Sequence, residues 1–305
     1  MGCRTSTSPS SGGGSASGTL VFEESDEVVT ASLGSNATVT RFQGQDPAWT
    51  SDGRIVFDLW GMFTTDHLEH LNIANLDGTN AQTIVNMQES NSDIYAHPKL
   101  SPDGKYLSFN YSDFLNSKLG THFGTLIYGF DGTPLYYIDS LWDASWGPDG
   151  SLILAGTVND PALLSGSQAT FSTQGLFLID KTFSTRTSIG SGLSQPMLPT
   201  ISHDGKRVAF EMNSHIWTIN IDGTGLKQIT TGANTESYSA WSPDGNSIAC
   251  ETSGALGFDG GTFIAIVPSN PSTPVTVSQE NSSVYVKDNA ALTGFPIPTG
   301  ALDWR

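Results

Sequence analysis

Between residues 199 and 229 the chain alternates short apolar runs with Asp-Gly turns. Residues 199–202 read as a short strand, and His203-Asp204-Gly205 turns it. Across residues 206–212, Val208 and Phe210 alternate with other residues. Across 215–221, Ile216 and Thr218 oppose Trp217, Ile219 and Ile221. Asp222-Gly223-Thr224 turns the chain again, and residues 226–229 begin a further strand. Period-two alternation bounded by such turns predicts four antiparallel strands. Proline at a turn entry presets φ, while Asp and Gly supply the tight-turn conformations.

The unit recurs. Ser101-Pro102-Asp103-Gly104 and Ser242-Pro243-Asp244-Gly245 are the fullest copies of its first turn, with looser ones at Ser51-Asp52-Gly53 and Gly147-Pro148-Asp149-Gly150. The Asp-Gly pairs lie 51, 46, 55 and 40 residues apart. A period of that size marks an array of supersecondary units. The second turn repeats as Asp77-Gly78-Thr79, Asp131-Gly132-Thr133 and Asp222-Gly223-Thr224. Five full units start near Pro47, Pro98, Ala144, Pro199 and Ser239.

The ends supply a sixth unit. Ala301-Leu302-Asp303-Trp304 matches the opening strand of the others, as in Ser239-Ala240-Trp241, and residues 19–23, 27–33 and 37–42 supply the strands it lacks. The expected fold is therefore all-β: a six-bladed β-propeller of four-stranded antiparallel blades, closed by N-terminal strands pairing with a C-terminal strand. Closure protects strand edges, which an open solenoid would leave to its terminal repeats. Two segments are expected, a flexible Ser/Gly-rich tether over 1–18 and a single propeller over 19–305.

Composition narrows the function. The chain carries 13 Lys+Arg against 30 Asp+Glu, a formal charge of −17. Nucleic-acid binding needs a basic footprint and is not expected. Cations or basic partners suit the charge better. Two cysteines, Cys3 and Cys250, make no disulfide framework, zinc ribbon or haem-attachment pattern. No apolar run is long enough to span a bilayer. Cys3 is the lipid-anchor candidate. Cys3 after Gly2, followed by a Ser/Gly tether, resembles the mature start of a bacterial lipoprotein, while Met1-Gly2-Cys3-Arg4-Thr5-Ser6 also fits a myristoylation pattern. A plain tail is the third reading.

Ser239-Ala240-Trp241-Ser242-Pro243-Asp244-Gly245, followed by Ile248-Ala249, resembles the repeat of TolB-type β-propellers. Residues 215–223 with Lys227-Gln228-Ile229-Thr230 resemble the second half of that repeat. The resemblance covers roughly residues 19–305 and is to the propeller alone. It implies the fold, and a membership that spans periplasmic scaffolds, surface lipoproteins, lyases and the non-catalytic propellers of oligopeptidases.

Strand direction sorts the loops. Both Asp-Gly turns fall on one face. The insertions, at 60–69, 112–123, 157–173, 253–261 and 280–300, fall on the other, where binding is expected. That face reads as an acidic rim, with Asp46, Glu89, Asp93, Asp143 and Glu236 among its members and Asp66, Glu69, Asp113, Asp160, Asp259, Glu280 and Asp288 on the insertions. The residues just before each inner strand ring the channel mouth: Asp46, His97, Asp143, Leu198, Tyr238 and Ala301. Asp46, His97, Asp143 and Tyr238 are the ligand or metal candidates. Carboxylates with one imidazole suit a divalent cation, the one candidate cofactor. The competing reading is that they satisfy strand-end amides. His67 and His70 are a weaker zinc candidate, and loop aromatics such as Trp60 and Phe258 are candidate stacking platforms.

No Gly-x-Ser-x-Gly elbow and no P-loop occurs. The leading expectation is a non-catalytic binding or scaffold propeller, periplasmic, cell-surface or extracellular. It engages a protein, peptide or glycan on the long-loop face, and self-assembly is a variant. The alternative is a metal-assisted carbohydrate lyase or hydrolase using Asp46 and Asp143 at the channel mouth.

Overall fold

The computed structural model of the chain describes residues 17–24, 26–33, 38–59, 70–86, 93–113, 122–156, 175–253, 262–277 and 298–305. The strands β1 (Gly18–Glu24), β2 (Glu27–Leu33) and β3 (Val39–Gln43) come first. Blade 1 holds β4 (Gln45–Trp49), β5 (Ile55–Leu59), β6 (His70–Ala74) and β7 (Gln82–Asn86). Blade 2 holds β8 (Asp93–Leu100), β9 (Tyr106–Asp113), β10 (His122–Gly129) and β11 (Pro134–Asp139). Blade 3 holds β12 (Leu141–Trp146), β13 (Leu152–Gly156), β14 (Gly175–Ile179) and β15 (Arg186–Ile189). Blade 4 holds β16 (Met197–Ile201), β17 (Arg207–Met212), β18 (His215–Asn220) and β19 (Lys227–Gln228), and β20 (Thr230–Thr231) follows it. Blade 5 holds β21 (Thr235–Trp241), β22 (Ser247–Ser253) and β23 (Thr262–Pro268), followed by β24 (Val275–Thr276). The last strand is β25 (Pro298–Trp304).

Neighbours in chain order pair antiparallel within each blade, and the sixth sheet has the order β25-β1-β2-β3. This is the six-bladed propeller expected from the repeat, closed by both ends of the described chain. Leu20 faces Trp304 and Phe22 faces Leu302 across the closing pair. Gly18, at φ +113°, lies where a Cβ would meet the Arg305 carbonyl, so the entry to β1 requires glycine. The closure is also tied to blade 1. Asp303 Oδ2 accepts the Trp49 N–H at 3.0 Å, and the Arg305 guanidinium donates to the carbonyls of Thr50 and Ser51 at 2.8 and 3.0 Å. Blade 5 adds one variation. Its outer segment β24 pairs in parallel with β20, and Val275 N–H donates to Ile229 O at 2.8 Å, strapping blades 4 and 5 together.

The core lies between blades. Leu20, Val29, Leu302 and Trp304 of blade 6 pack on Ala240, Ala249, Ile264 and Ile266 of blade 5, and similar layers join the other blades. Fully burying such a side chain stabilises by about 1.5–3 kcal/mol. The inner-strand tryptophans of blades 1, 3 and 5 also staple each of these blades to the preceding one. Trp241 Nε1 donates to Thr200 O at 3.0 Å, and Trp146 Nε1 to Ser108 Oγ at 2.9 Å.

The Ser-Pro-Asp-Gly phrase has a clear local role. In Ser101, Ser202 and Ser242 the hydroxyl donates to the turn Asp at 2.7 Å and accepts the N–H that opens the next strand. The third unit lacks that serine, and Ser151 donates to Asp149 from the other side of the turn at 2.6 Å.

Candidate functional site

In each of five blades the pairing of the two inner strands slips at one place, between Gln45 and Ala48, Ala96 and Lys99, Trp142 and Ser145, Met197 and Thr200, and Ser237 and Ala240. A bulge re-aims the side chain it carries. The bulged residues are Asp46, His97, Asp143, Leu198 and Tyr238, all at φ between 45° and 56°. Left-handed backbone in a non-glycine residue costs roughly 1–2 kcal/mol. Five such residues in equivalent places form one ring around the channel axis, the ring that the repeat alignment predicts. The sixth position, Ala301, is buried.

The ring is wired to itself. His97 Nδ1 sits 2.9 Å from Asp143 Oδ1, and His97 Nε2 sits 3.4 Å from Asp46 Oδ1. Burial opposes a charge on His97, but Asp46 and Asp143 outweigh it and raise the imidazole to about 9, so it is cationic at neutral pH. Burial likewise pushes the Asp143 carboxyl up, and His97 with the Asn110 amide overcomes that and holds it below its ordinary value. Both carboxylates also accept backbone N–H groups from the next blade: Asp46 from His97 at 3.2 Å, and Asp143 from Leu198. Asp46 N–H donates in turn to Glu23 Oε2 at 3.0 Å, and Asp143 N–H to Asn110 Oδ1 at 2.8 Å. Across the channel, the rings of His97 and Tyr238 meet edge to face at 6.0 Å. Blades 2 and 5 thus plug the channel at this level.

On the Asp-Gly turn side of the plug lies a cavity of about 380 Å³. His97, Asp143, Leu198 and Tyr238 form its floor, the inner-strand tryptophans Trp49, Trp146, Trp241 and Trp304 its walls, and Ser51, Pro102, His203 and Arg305 its mouth. The turn face, expected to be the quiet one, therefore carries a concave site of its own.

Other expectations resolve differently. Asp46 and Asp143 are only 14% and 11% exposed, and Glu236 is fully buried, so these three are not a solvated acidic rim. Glu236 accepts from Thr230 Oγ1 at 2.7 Å and pairs with His215 Nδ1 at 2.7 Å. His70 opens β6 as His215 opens β18, and it is buried, consistent with a structural position. Cys250 is buried among apolar residues, and burial raises its thiol to about 12. Cys3, His67, Trp60 and Phe258 lie outside the described residues, as do Asp66, Glu69, Glu89, Asp160, Asp259, Glu280 and Asp288.

A second tier escaped the sequence reading. The strand-two residues facing the bulges are Asp58, Asn110, Glu211 and Glu251, with Glu23 in the corresponding place on β1. The signal was present in Phe57-Asp58, Phe109-Asn110, Phe210-Glu211, Cys250-Glu251 and Phe22-Glu23, a polar residue after a buried apolar one in five of six repeats.

No protein-family model matches the chain, and no curated protein matches it. Solved structures do. TolB from Acinetobacter baumannii is 15% identical with a TM-score of 0.61, over 95% of this chain and 67% of that one. A putative TolB from Agrobacterium tumefaciens is 18% identical with a TM-score of 0.56, over 84% and 86%. The Pyrococcus horikoshii acylaminoacyl peptidase is 9% identical with a TM-score of 0.52, over 82% of this chain and 46% of that one. At these identities the similarity is one of architecture, and the chain is a six-bladed β-propeller of TolB-like fold.

Proposed function

We propose that the protein is a non-catalytic binding or scaffold propeller of the cell envelope or cell surface, carried on the segment 1–18 with Cys3 as its lipid attachment point. It engages a protein or peptide partner through its long-loop face and the part of the channel on that side of the plug. A glycan is the alternative ligand on the same face.

One observation carries the reading. Both nitrogens of His97 face carboxylates, Asp143 at 2.9 Å and Asp46 at 3.4 Å. A metal ion at the ring would have to displace a proton from a strongly paired imidazolium and break amide contacts on both carboxylates. The same contacts occupy the carboxylates that a lyase or hydrolase would need as acid and base. The donor set therefore fits a structural plug better than a divalent-cation centre.

The test is photocrosslinking in the native envelope from Asn213, in the turn joining β17 to β18 on the long-loop face, with Leu226 at the outer edge as control. Discrete adducts from position 213 that are absent from position 226 are expected. Identical adducts from both, or none from position 213, contradict the reading.

A further inference from the structure

Above the plug, on its long-loop side, the second tier of polar residues is not uniformly used. Glu23 and Asn110 accept the bulge N–H of the following blade, those of Asp46 and Asp143. Glu251 stands in the same place on blade 5, opposite Ser237 and beside the Tyr238 bulge, and Glu211 in the same place on blade 4, opposite Met197. Glu251 is only 7% exposed, yet its Oε2 is sealed from solvent and has no hydrogen-bond partner. A buried polar group left so is costly and calls for a missing partner.

A cation is the partner that the surrounding carboxyls favour. Burial, then the charges of Glu23 and Glu211, push the Glu251 carboxyl up to about 8. Burial, then Asp143 and Glu236, push Glu211 up to about 7. The Tyr238 hydroxyl is raised by burial and by Asp46, Asp143, Glu251 and Glu23. Among the described residues, His97 is already held between Asp46 and Asp143 and is not free to pair with Glu251 or Glu211. A metal ion fits poorly, because among the described residues no three His, Cys, Asp or Glu side chains converge as a ligand set. An ammonium, with three donors, matches two carboxylates and a phenol oxygen.

We propose that the channel between blades 4, 5 and 6 is a socket for a primary ammonium group, the side chain of a lysine on a polypeptide partner, held by Glu251, Glu211 and the Tyr238 hydroxyl. The socket deepens the binding-propeller reading and rests on it for the nature of the partner.

The test is NMR titration of the full chain with Nα-acetyl-lysine amide, against Nα-acetyl-norleucine amide as the uncharged control. Shifts at Ser237, Tyr238 and Glu251 with the lysine probe alone are expected. Glu251→Gln should weaken binding by about tenfold or more, the loss of one buried charge contact. Glu211→Gln serves as the second variant and should weaken binding in the same direction. Equal shifts with both probes, unchanged affinity in both variants, tighter binding of Nα-acetyl-arginine amide, or calcium chloride displacing the lysine probe would each overturn the socket. Lysine binding without any crosslinked partner leaves the socket standing and removes the scaffold reading. Crosslinked partners that persist without lysine binding remove the socket alone.

Discussion

Replacing Glu251 by Gln should stabilise the protein, and by an amount that grows with pH. The side chain keeps its shape and loses its titration. Burial first, and then Glu23 and Glu211, raise its carboxyl from an ordinary 4.5 to about 8. Between those values the folded chain holds a proton that the unfolded chain releases. The folded state is therefore favoured most below pH 4.5, and that contribution is lost as pH rises to about 8. At about 1.4 kcal/mol per pH unit, the gap sets a ceiling of about 5 kcal/mol. Relaxation and water entry around a buried charge reduce this, and about 2–3 kcal/mol at alkaline pH is the expected gain. The assay is urea unfolding of wild type and Glu251→Gln, followed by tryptophan fluorescence, with the midpoint compared at matched slope. The difference should be small near pH 4.5, widen as pH rises to about 8 and level off above it. A difference that stays flat with pH, or a variant less stable than wild type at pH 9, would refute the burial argument and the socket built on it.

Other consequences follow from the ring and the repeat. Asp143→Asn removes the closest charge beside His97 and an acceptor for the Leu198 N–H, and should cost about 2–4 kcal/mol in urea unfolding at pH 7, with no change in far-UV circular dichroism below the transition. Trp241→Phe keeps most of the buried surface but loses the indole donor to Thr200 O and weakens the Arg207 stack at 4.5 Å. Its melting temperature should fall by an amount equivalent to about 1–2 kcal/mol. Ser242→Ala removes a hydroxyl that both donates to Asp244 and accepts from Ser247 N–H, and should cost about 1 kcal/mol by the same measurement.

The architecture was legible because its signals are local and repeated. Asp-Gly turns and period-two alternation carry their own physics, and the unfinished unit at Ala301-Leu302-Asp303-Trp304 identified the closing strand. The ring was legible for the same reason, since Asp46, His97, Asp143 and Tyr238 hold one place in the repeat. How they interact was not. That His97 lies between two carboxylates, and reaches Tyr238 across the channel, depends on the radius and tilt of the closed ring. Glu236 reads as a loop acid because its partners, His215 and Thr230, come from the preceding blade. Glu211 and Glu251 were hidden for a simpler reason. A glutamate after an apolar pair resembles the solvent side of a strand until the next blade covers it.

The central claim is that the ring is an internally paired electrostatic plug, with His97 charged between Asp46 and Asp143. NMR titration of the His97 side chain tests it directly. The account predicts a pKa of about 9, falling toward 6.5 in Asp143→Asn. A wild-type value at or below 6.5 would mean that His97 is neutral and open to other ligands, and would contradict the account.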